Sequence, residues 1–201
     1  MNHLEAFFAR FALEAVDLEA IYSIASKKSY QAGEIFIPLG STRKKMGIVE
    51  TGLARGYRIK SSGEEVSIDF AKEGEITSTQ DLILYGMESE QMVEFLEPST
   101  LLVFDYRDIE QLARENLSIE RLKNQFIQDY LVKILHRLET FLVYNPEERY
   151  EWLMREQPDL LKRVQQKHLA SYLGITPVSL SRLRTRRNRR QKEEKQVLPS
   201  N

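Results

Sequence analysis

The chain contains no cysteine. That absence excludes disulfides, cysteine-ligated zinc, iron–sulfur clusters and thiol redox sensing together. Histidine is nearly as scarce. His3, His136 and His168 are the three, and none falls between residues 4 and 135. A metal-dependent barrel enzyme needs clustered histidine and carboxylate ligands around one cavity, and this sequence does not supply them. There is no glycine-rich phosphate loop, no Ser-His-Asp signature and no CxxC. No enzyme activity, metal or cofactor is therefore expected. Long apolar runs are also missing: nothing approaches the roughly eighteen residues that span a bilayer. The first ten residues carry Glu5 and Arg10 among their apolar positions. They read as an amphipathic helix start and not a signal peptide, so a soluble, cytoplasmic protein with no membrane partner is expected. One absence is local. From Glu73 to Phe104 there is no lysine, arginine or histidine, while the same stretch holds Glu73, Glu75, Asp81, Glu88, Glu90, Glu94 and Glu97.

What is present is a charge split. The net charge of −1 over 201 residues hides a basic end. From Leu160 to Asn201 there are eleven Lys+Arg and two acids, Glu193 and Glu194, a net of +9; the remainder therefore carries −10. A basic end on an acidic body is the electrostatic footprint of a polyanion binder.

The same end carries the most informative pattern. Gln166 to Arg184 reads as a helix, a turn at Gly174 and a second helix opening at Thr176-Pro177. Ala170 sits where two helices approach closely. Gly174 can take the positive φ that ends a helix. Thr176 can cap the next helix, and Pro177 suits its first position. Leu169, Leu173, Ile175, Leu180 and Leu183 form the apolar set, which leaves Ser179, Ser181, Arg182, Arg184 and Arg186 pointing outward. This is a helix-turn-helix pattern, whose second helix commonly enters the DNA major groove. The expected DNA-contacting residues are Gln166, His168, Thr176, Val178, Ser179, Ser181, Arg182, Arg184, Arg186 and Arg187. The plainer reading is an ordinary helical hairpin; the basic charge around it shifts the weight to DNA.

Upstream, residues 3–25 show helical spacing with a break near Leu13–Asp17. From about Lys28, glycines punctuate short alternating runs: Glu34–Ile37, Gly47–Glu50, Ala54–Ile59 and Val66–Phe70. Met92–Phe95 and Leu101–Phe104 follow as closing strands. This predicts an antiparallel barrel or jelly roll. Helical spacing returns at Tyr106, and a long helix is predicted from a Ser118 cap to about Leu142. Its apolar positions cover more than one face needs, so it should pack on its own barrel and on a second copy of itself, the plainer reading being a single helix inside a large monomer core. Ile119, Leu122, Phe126, Tyr130, Leu131, Ile134 and Leu138 are the expected dimer interface. Asn145-Pro146 ends this helix and starts the next. The fold class is thus α+β: an N-terminal β-barrel domain over residues 1–116, a long dimerisation helix over 117–144, and a helix-turn-helix domain with a basic tail over 145–201.

This order of parts resembles the cyclic-AMP receptor protein / fumarate–nitrate regulator family of bacterial transcription factors. In the barrel the resemblance rests on Gly33-Glu34, Gly40, Gly52, Gly63-Glu64-Glu65 and Gly74-Glu75. In the C-terminal part it rests on Leu169-Ala170, Gly174 and Leu180-Ser181-Arg182. It implies a cyclic-nucleotide-binding-like barrel and a homodimer. It also implies two recognition helices on a near-palindromic double-stranded DNA site, with RNA polymerase as a further partner. Two departures matter. The family's nucleotide cassette supplies an arginine for the cyclic phosphate, and this chain has none there. A buried phosphate without a cation is badly unfavourable. Cyclic AMP is therefore not expected to be the effector. Any effector should be neutral, cationic or apolar, entering beside Ile76, Leu82, Ile83, Leu84 and Tyr85 in a pocket that includes Gly74 and Glu75, or else there is no effector. The recognition helix also opens Pro177-Val178 where cyclic-AMP-responsive members carry Arg-Glu, so the family's usual target sequence does not transfer. The alternative reading is a sensor or scaffold that keeps a degenerate barrel and does not bind DNA.

Overall fold

The structure is a computed structural model that describes residues 2–11, 13–78, 83–84 and 86–197, with side chains to residue 190. It divides into two compact units, residues 1–135 and 136–201.

The first unit begins with two short helices, α1 (His3–Phe8) and α2 (Ala15–Ser23). Asn2 and Glu5 cap α1 reciprocally, each side chain taking the other's backbone N–H. Among the described residues eight strands follow: β1 (Ser26–Tyr30), β2 (Ile35–Ile37), β3 (Lys45–Thr51), β4 (Ala54–Ile59), β5 (Glu65–Ala71), β6 (Ile76–Ser78), β7 (Met92–Phe95) and β8 (Ser99–Asp105). They form two four-stranded sheets, β1-β8-β3-β6 and β2-β7-β4-β5. Every pairing is antiparallel. The predicted antiparallel jelly roll is therefore present. The predicted runs lie on β2, β3, β4, β5, β7 and β8.

Strand alternation divides the unit into two cores. Gly47, Val49, Leu101 and Val103 face the space between the sheets. Phe36, Ile37, Val93 and Phe95 meet the last three there. Tyr30 stacks on Phe95 with ring centroids 4.5 Å apart. The intervening residues Met46, Ile48, Leu102 and Phe104 face outward, into a second core with the helices.

Those helices are α1, α2, α3 (Tyr106–Glu115) and the first half of α4 (Leu117–Val143). Phe7 and Phe11 both pack on Phe126 of α4, with centroids 5.5 Å away. Burying one such ring stabilises by about 1.5–3 kcal/mol. The start of α4 differs from expectation. Asn116, not Ser118, is the capping side chain. Its Oδ1 accepts from Ser118 N and Ile119 N, while its amide donates to Asp17 at 2.7 Å. The Asn116 amide caps the helix with its oxygen and holds the buried Asp17 with its nitrogen at the same time.

The second unit contains the end of α4, then α5 (Pro146–Glu156), α6 (Leu160–Arg163), α7 (Gln166–Tyr172) and α8 (Pro177–Val197). Asn145 and Glu148 form a capping box at the start of α5, with Pro146 at its first turn. Among the described residues no helix is long and apolar enough to cross a membrane.

Candidate functional site

Three features carry chemistry. They are the α7–α8 corner, the exposed stripe of α4, and the ground around the Gly74-Glu75 turn.

The corner is built from local rules. Leu169, Ala170, Leu173, Leu180 and Leu183 are all at most 3% exposed, so the two helices meet on a closed apolar seam. Alanine at 170 leaves room for that approach. The turn is a Schellman motif: Ile175 N donates to Ala170 O at 3.0 Å and Gly174 N to Ser171 O at 3.1 Å. Gly174 has φ +67°, the left-handed region that glycine enters without strain. Thr176 Oγ1 then accepts from Ser179 N at 3.1 Å, capping α8 with Pro177 at its first position. Gln166 Nε2 donates to Pro177 O at 2.8 Å and ties the start of α7 to the start of α8.

The outward face of α8 is polar and open. Val178 is 59% exposed. Ser179, Ser181, Arg182, Thr185 and Arg186 line one shallow concavity. Three expected contacts lie elsewhere. His168 is buried at 6% exposure, because α7 turns that position inward, so it is not a surface residue. Arg184 is half-buried, with its guanidinium 5.8 Å from the Tyr150 ring. Arg187, one turn on, reaches Met154 Sδ. Residues three apart share a helix face, and 184 and 187 share the face that lies against α5. Arg186 stays exposed, but Glu147 of α5 lies 3.7 Å from it and 2.9 Å from Arg190.

The sequence reading missed the residues that hold the turn. Arg149 is buried; its Nε donates to Leu173 O at 3.0 Å and its NH1 to Tyr144 O at 2.7 Å. Arg137 donates to Tyr172 O. Both guanidiniums stack on Phe141, at 4.5 and 4.7 Å. Two cations thus satisfy the last carbonyls of α7, where the helix dipole also favours positive charge. No sequence spacing announces this, since the partners are 24 and 35 positions apart.

On α4 the expected interface divides. Ile119 and Leu122 are 1% and 5% exposed and lie inside the helical core of their own unit, and Phe126 is packed there too. They are covered already and cannot meet a second copy. Tyr130 and Ile134 are half-buried. The exposed set starts later: Ile127, Leu131, Leu135, Leu138 and Leu142 are 42% to 76% exposed, at intervals of four, four, three and four residues. That spacing keeps them on one stripe of the helix.

In the barrel, Gly74 has φ +75° and turns the chain before β6. Glu75 is flanked by Lys133 of α4 at 3.8 Å; Lys133 also pairs with Asp69 at 2.7 Å and donates to Phe70 O at 3.1 Å. Burial pushes the Glu75 carboxyl above its usual range; Lys133 opposes that shift and Asp69 adds to it. The cation that reaches this turn therefore comes from the long helix. Ile76 is half-buried. Leu82 and Tyr85, the other expected pocket residues, lie outside the described residues.

Residues 27–116 match the family model described as cyclic nucleotide-binding domain. No curated protein sequence matches the chain. Among solved structures, FixK2 from Bradyrhizobium japonicum is 17% identical with a TM-score of 0.72, covering 89% of each chain. A CooA mutant from Carboxydothermus hydrogenoformans is 17% identical with a TM-score of 0.69, over 94% of this chain and 85% of that one. The c-di-GMP-responsive global regulator CLP of Xanthomonas campestris is 15% identical with a TM-score of 0.66, over 94% and 96%. The fold thus defines a class: a cyclic-nucleotide-binding-type barrel with a helical C-terminal unit. The resemblance drawn from the glycine turns and the α7–α8 residues is borne out, and within that class the chain is similar to the cyclic-AMP receptor / fumarate–nitrate regulators.

Proposed function

We propose that this chain is a DNA-binding transcriptional regulator that acts as a homodimer on a near-palindromic site. The observation that carries the reading is the α8 face. Ser179, Ser181, Arg182, Thr185 and Arg186 stand together and exposed on a helix whose first turn is fixed by Thr176, Gln166 and Gly174. That helix lies in a segment of net charge +9. Its N-terminal residues read base edges in the major groove: Arg182 can grip guanine O6 and N7, and Val178 can meet a thymine methyl. Arg182→Ala then costs about 1–3 kcal/mol and relaxes specificity at one base pair. The second copy joins along the exposed half of α4, with helix-turn-helix units on successive turns of the duplex.

Cyclic nucleotides are not its effectors. The interior between the sheets is occupied by Tyr30, Phe36 and Phe95. Lys133, which reaches Glu75 from the long helix, is already engaged by Asp69 and Glu75. Calorimetric titration with cyclic AMP gives no saturable heat; a dissociation constant of about 10 μM or tighter overturns this part.

Titration of labelled duplex DNA at several salt concentrations tests the function. Affinity should fall steeply with salt, with a slope of about −0.9 per phosphate contacted. Absence of salt-dependent binding removes the regulator reading and leaves the sensor or scaffold.

A further inference from the structure

We propose that the cleft between the outer face of the β1-β8-β3-β6 sheet and the first half of α4 binds a small amphipathic carboxylate. This cleft is distinct from the space between the sheets. It holds about 100 Å³ and opens to solvent. Met46 and Ile76 form its floor, on strands β3 and β6. Phe126 and Ile127 of α4 form one wall, and Ile83 and Leu84 close one side. An apolar body of a ligand is at home against these six.

Lys123 enters the same cleft, with the hydroxyl-bearing Ser78, Tyr106 and Tyr130 also in its lining. Lys123 decides the chemistry. It is half-buried, and among the described residues its ammonium has no ion pair and no hydrogen bond. The contrast lies on the same helix. Lys133 is also half-buried, but Asp69, Glu75 and the Phe70 carbonyl surround it. The helix thus turns two lysines toward the barrel unit and the barrel neutralises one. An ammonium beside apolar walls gains from a carboxylate that replaces its partly lost hydration. One cation with hydroxyl-bearing side chains beside it suits a single negative charge. A second negative charge would find no second cation in the described lining. A carboxylate on an alkyl or aryl body meets all three conditions. Its charge also separates it from the neutral, cationic or apolar effector expected from the sequence.

The inference does not rest on DNA binding, and its test involves no DNA. Decanoate, decanol and decyltrimethylammonium are titrated separately into the full chain by calorimetry, below their micelle concentrations. Decanoate should bind saturably and at least about tenfold more tightly than decanol, a factor set by one charge-assisted contact. Decyltrimethylammonium should bind more weakly than either. Lys123→Met should abolish the difference between decanoate and decanol while leaving the decanol affinity in place, which also reports that the cleft is still folded. Lys123→Arg should retain the preference for the acid. Equal affinity for the three probes in the wild type, no saturable binding of decanoate, or decanoate binding untouched by Lys123→Met overturns the proposal.

Discussion

Gly174 lies against the ring of Phe141, so that a Cβ built on the glycine falls 2.7 Å from Phe141 Cε1. The turn between α7 and α8 is therefore docked on the end of α4 by an approach that only glycine permits. Gly174→Ala meets two penalties: the left-handed backbone, about 1 kcal/mol, and overlap with a ring held between two guanidiniums, about 1–3 kcal/mol. In a Phe141→Leu background the overlap is relieved, and the same substitution should cost only the backbone part. Chemical denaturation of the four proteins in a double-mutant cycle measures this. Equal costs in both backgrounds contradict the contact.

Glu147 holds part of the basic surface in check. It faces Arg186 and Arg190, both more than 60% exposed. Glu147→Gln frees both guanidiniums for phosphate. DNA affinity should rise at low salt, and the salt slope should steepen by up to about two units. Arg187→Ala should change the slope little, because that side chain is turned toward Met154. Filter binding across a salt series checks both.

The dimer is tested by the exposed stripe alone. Leu131→Asp with Leu138→Asp places charges at two sites that are more than half exposed in the single chain. The variant should fold, keep its helix content and sediment as a monomer where the wild type is a dimer. Phe126→Asp is a different experiment: it buries a charge among Phe7 and Phe11 and should unfold the N-terminal unit. A wild type that is monomeric at micromolar concentration contradicts the interface.

Glu75 gives a pH signature. Its folded pKa lies above the unfolded value, with burial the chief cause. Such a carboxyl favours the unfolded state once both forms would ionise, so its penalty is absent below the ordinary glutamate value and complete above the folded one. Glu75→Gln should remove that dependence. Measured against the wild type, the variant should gain relative stability as pH rises from about 4 and hold a constant difference at higher pH. Asp17 works the other way. Hydrogen bonds from the Asn116 amide and the Glu14 N–H hold it below the usual range, so its stabilisation is present at neutral pH and fades on strong acidification. A difference between Glu75→Gln and wild type that does not vary with pH contradicts the first assignment.

The elements legible in the sequence were those whose signal is local. The Schellman turn at Gly174, the Thr176 cap and the Asn145-Pro146 junction each follow from two or three neighbouring residues. Strands β3, β4, β5 and β8 are legible because one or both faces are apolar. Strand β1, Ser26–Tyr30, was not, because its Ser-Lys-Lys-Ser-Tyr run is mostly exposed at the edge of its sheet, where lysines discourage pairing with another chain. The start of α4 was misplaced by two residues because Asn116 also serves Asp17, 99 positions away. The inward turn of Arg184 and Arg187, the burial of His168 and the Arg137–Phe141–Arg149 stack are tertiary. No periodicity distinguishes a cation facing phosphate from one facing Tyr150 or Met154.

Selection from a random duplex library at moderate salt tests the central claim most directly. A DNA-binding homodimer should enrich a near-palindromic sequence whose half-site centres lie one helical turn apart, about 34 Å, or a multiple of it. Specificity at one position of each half-site should relax when Arg182 is replaced by alanine. A library that yields no enriched sequence, or enriches one equally well with Arg182→Ala at every position, contradicts it.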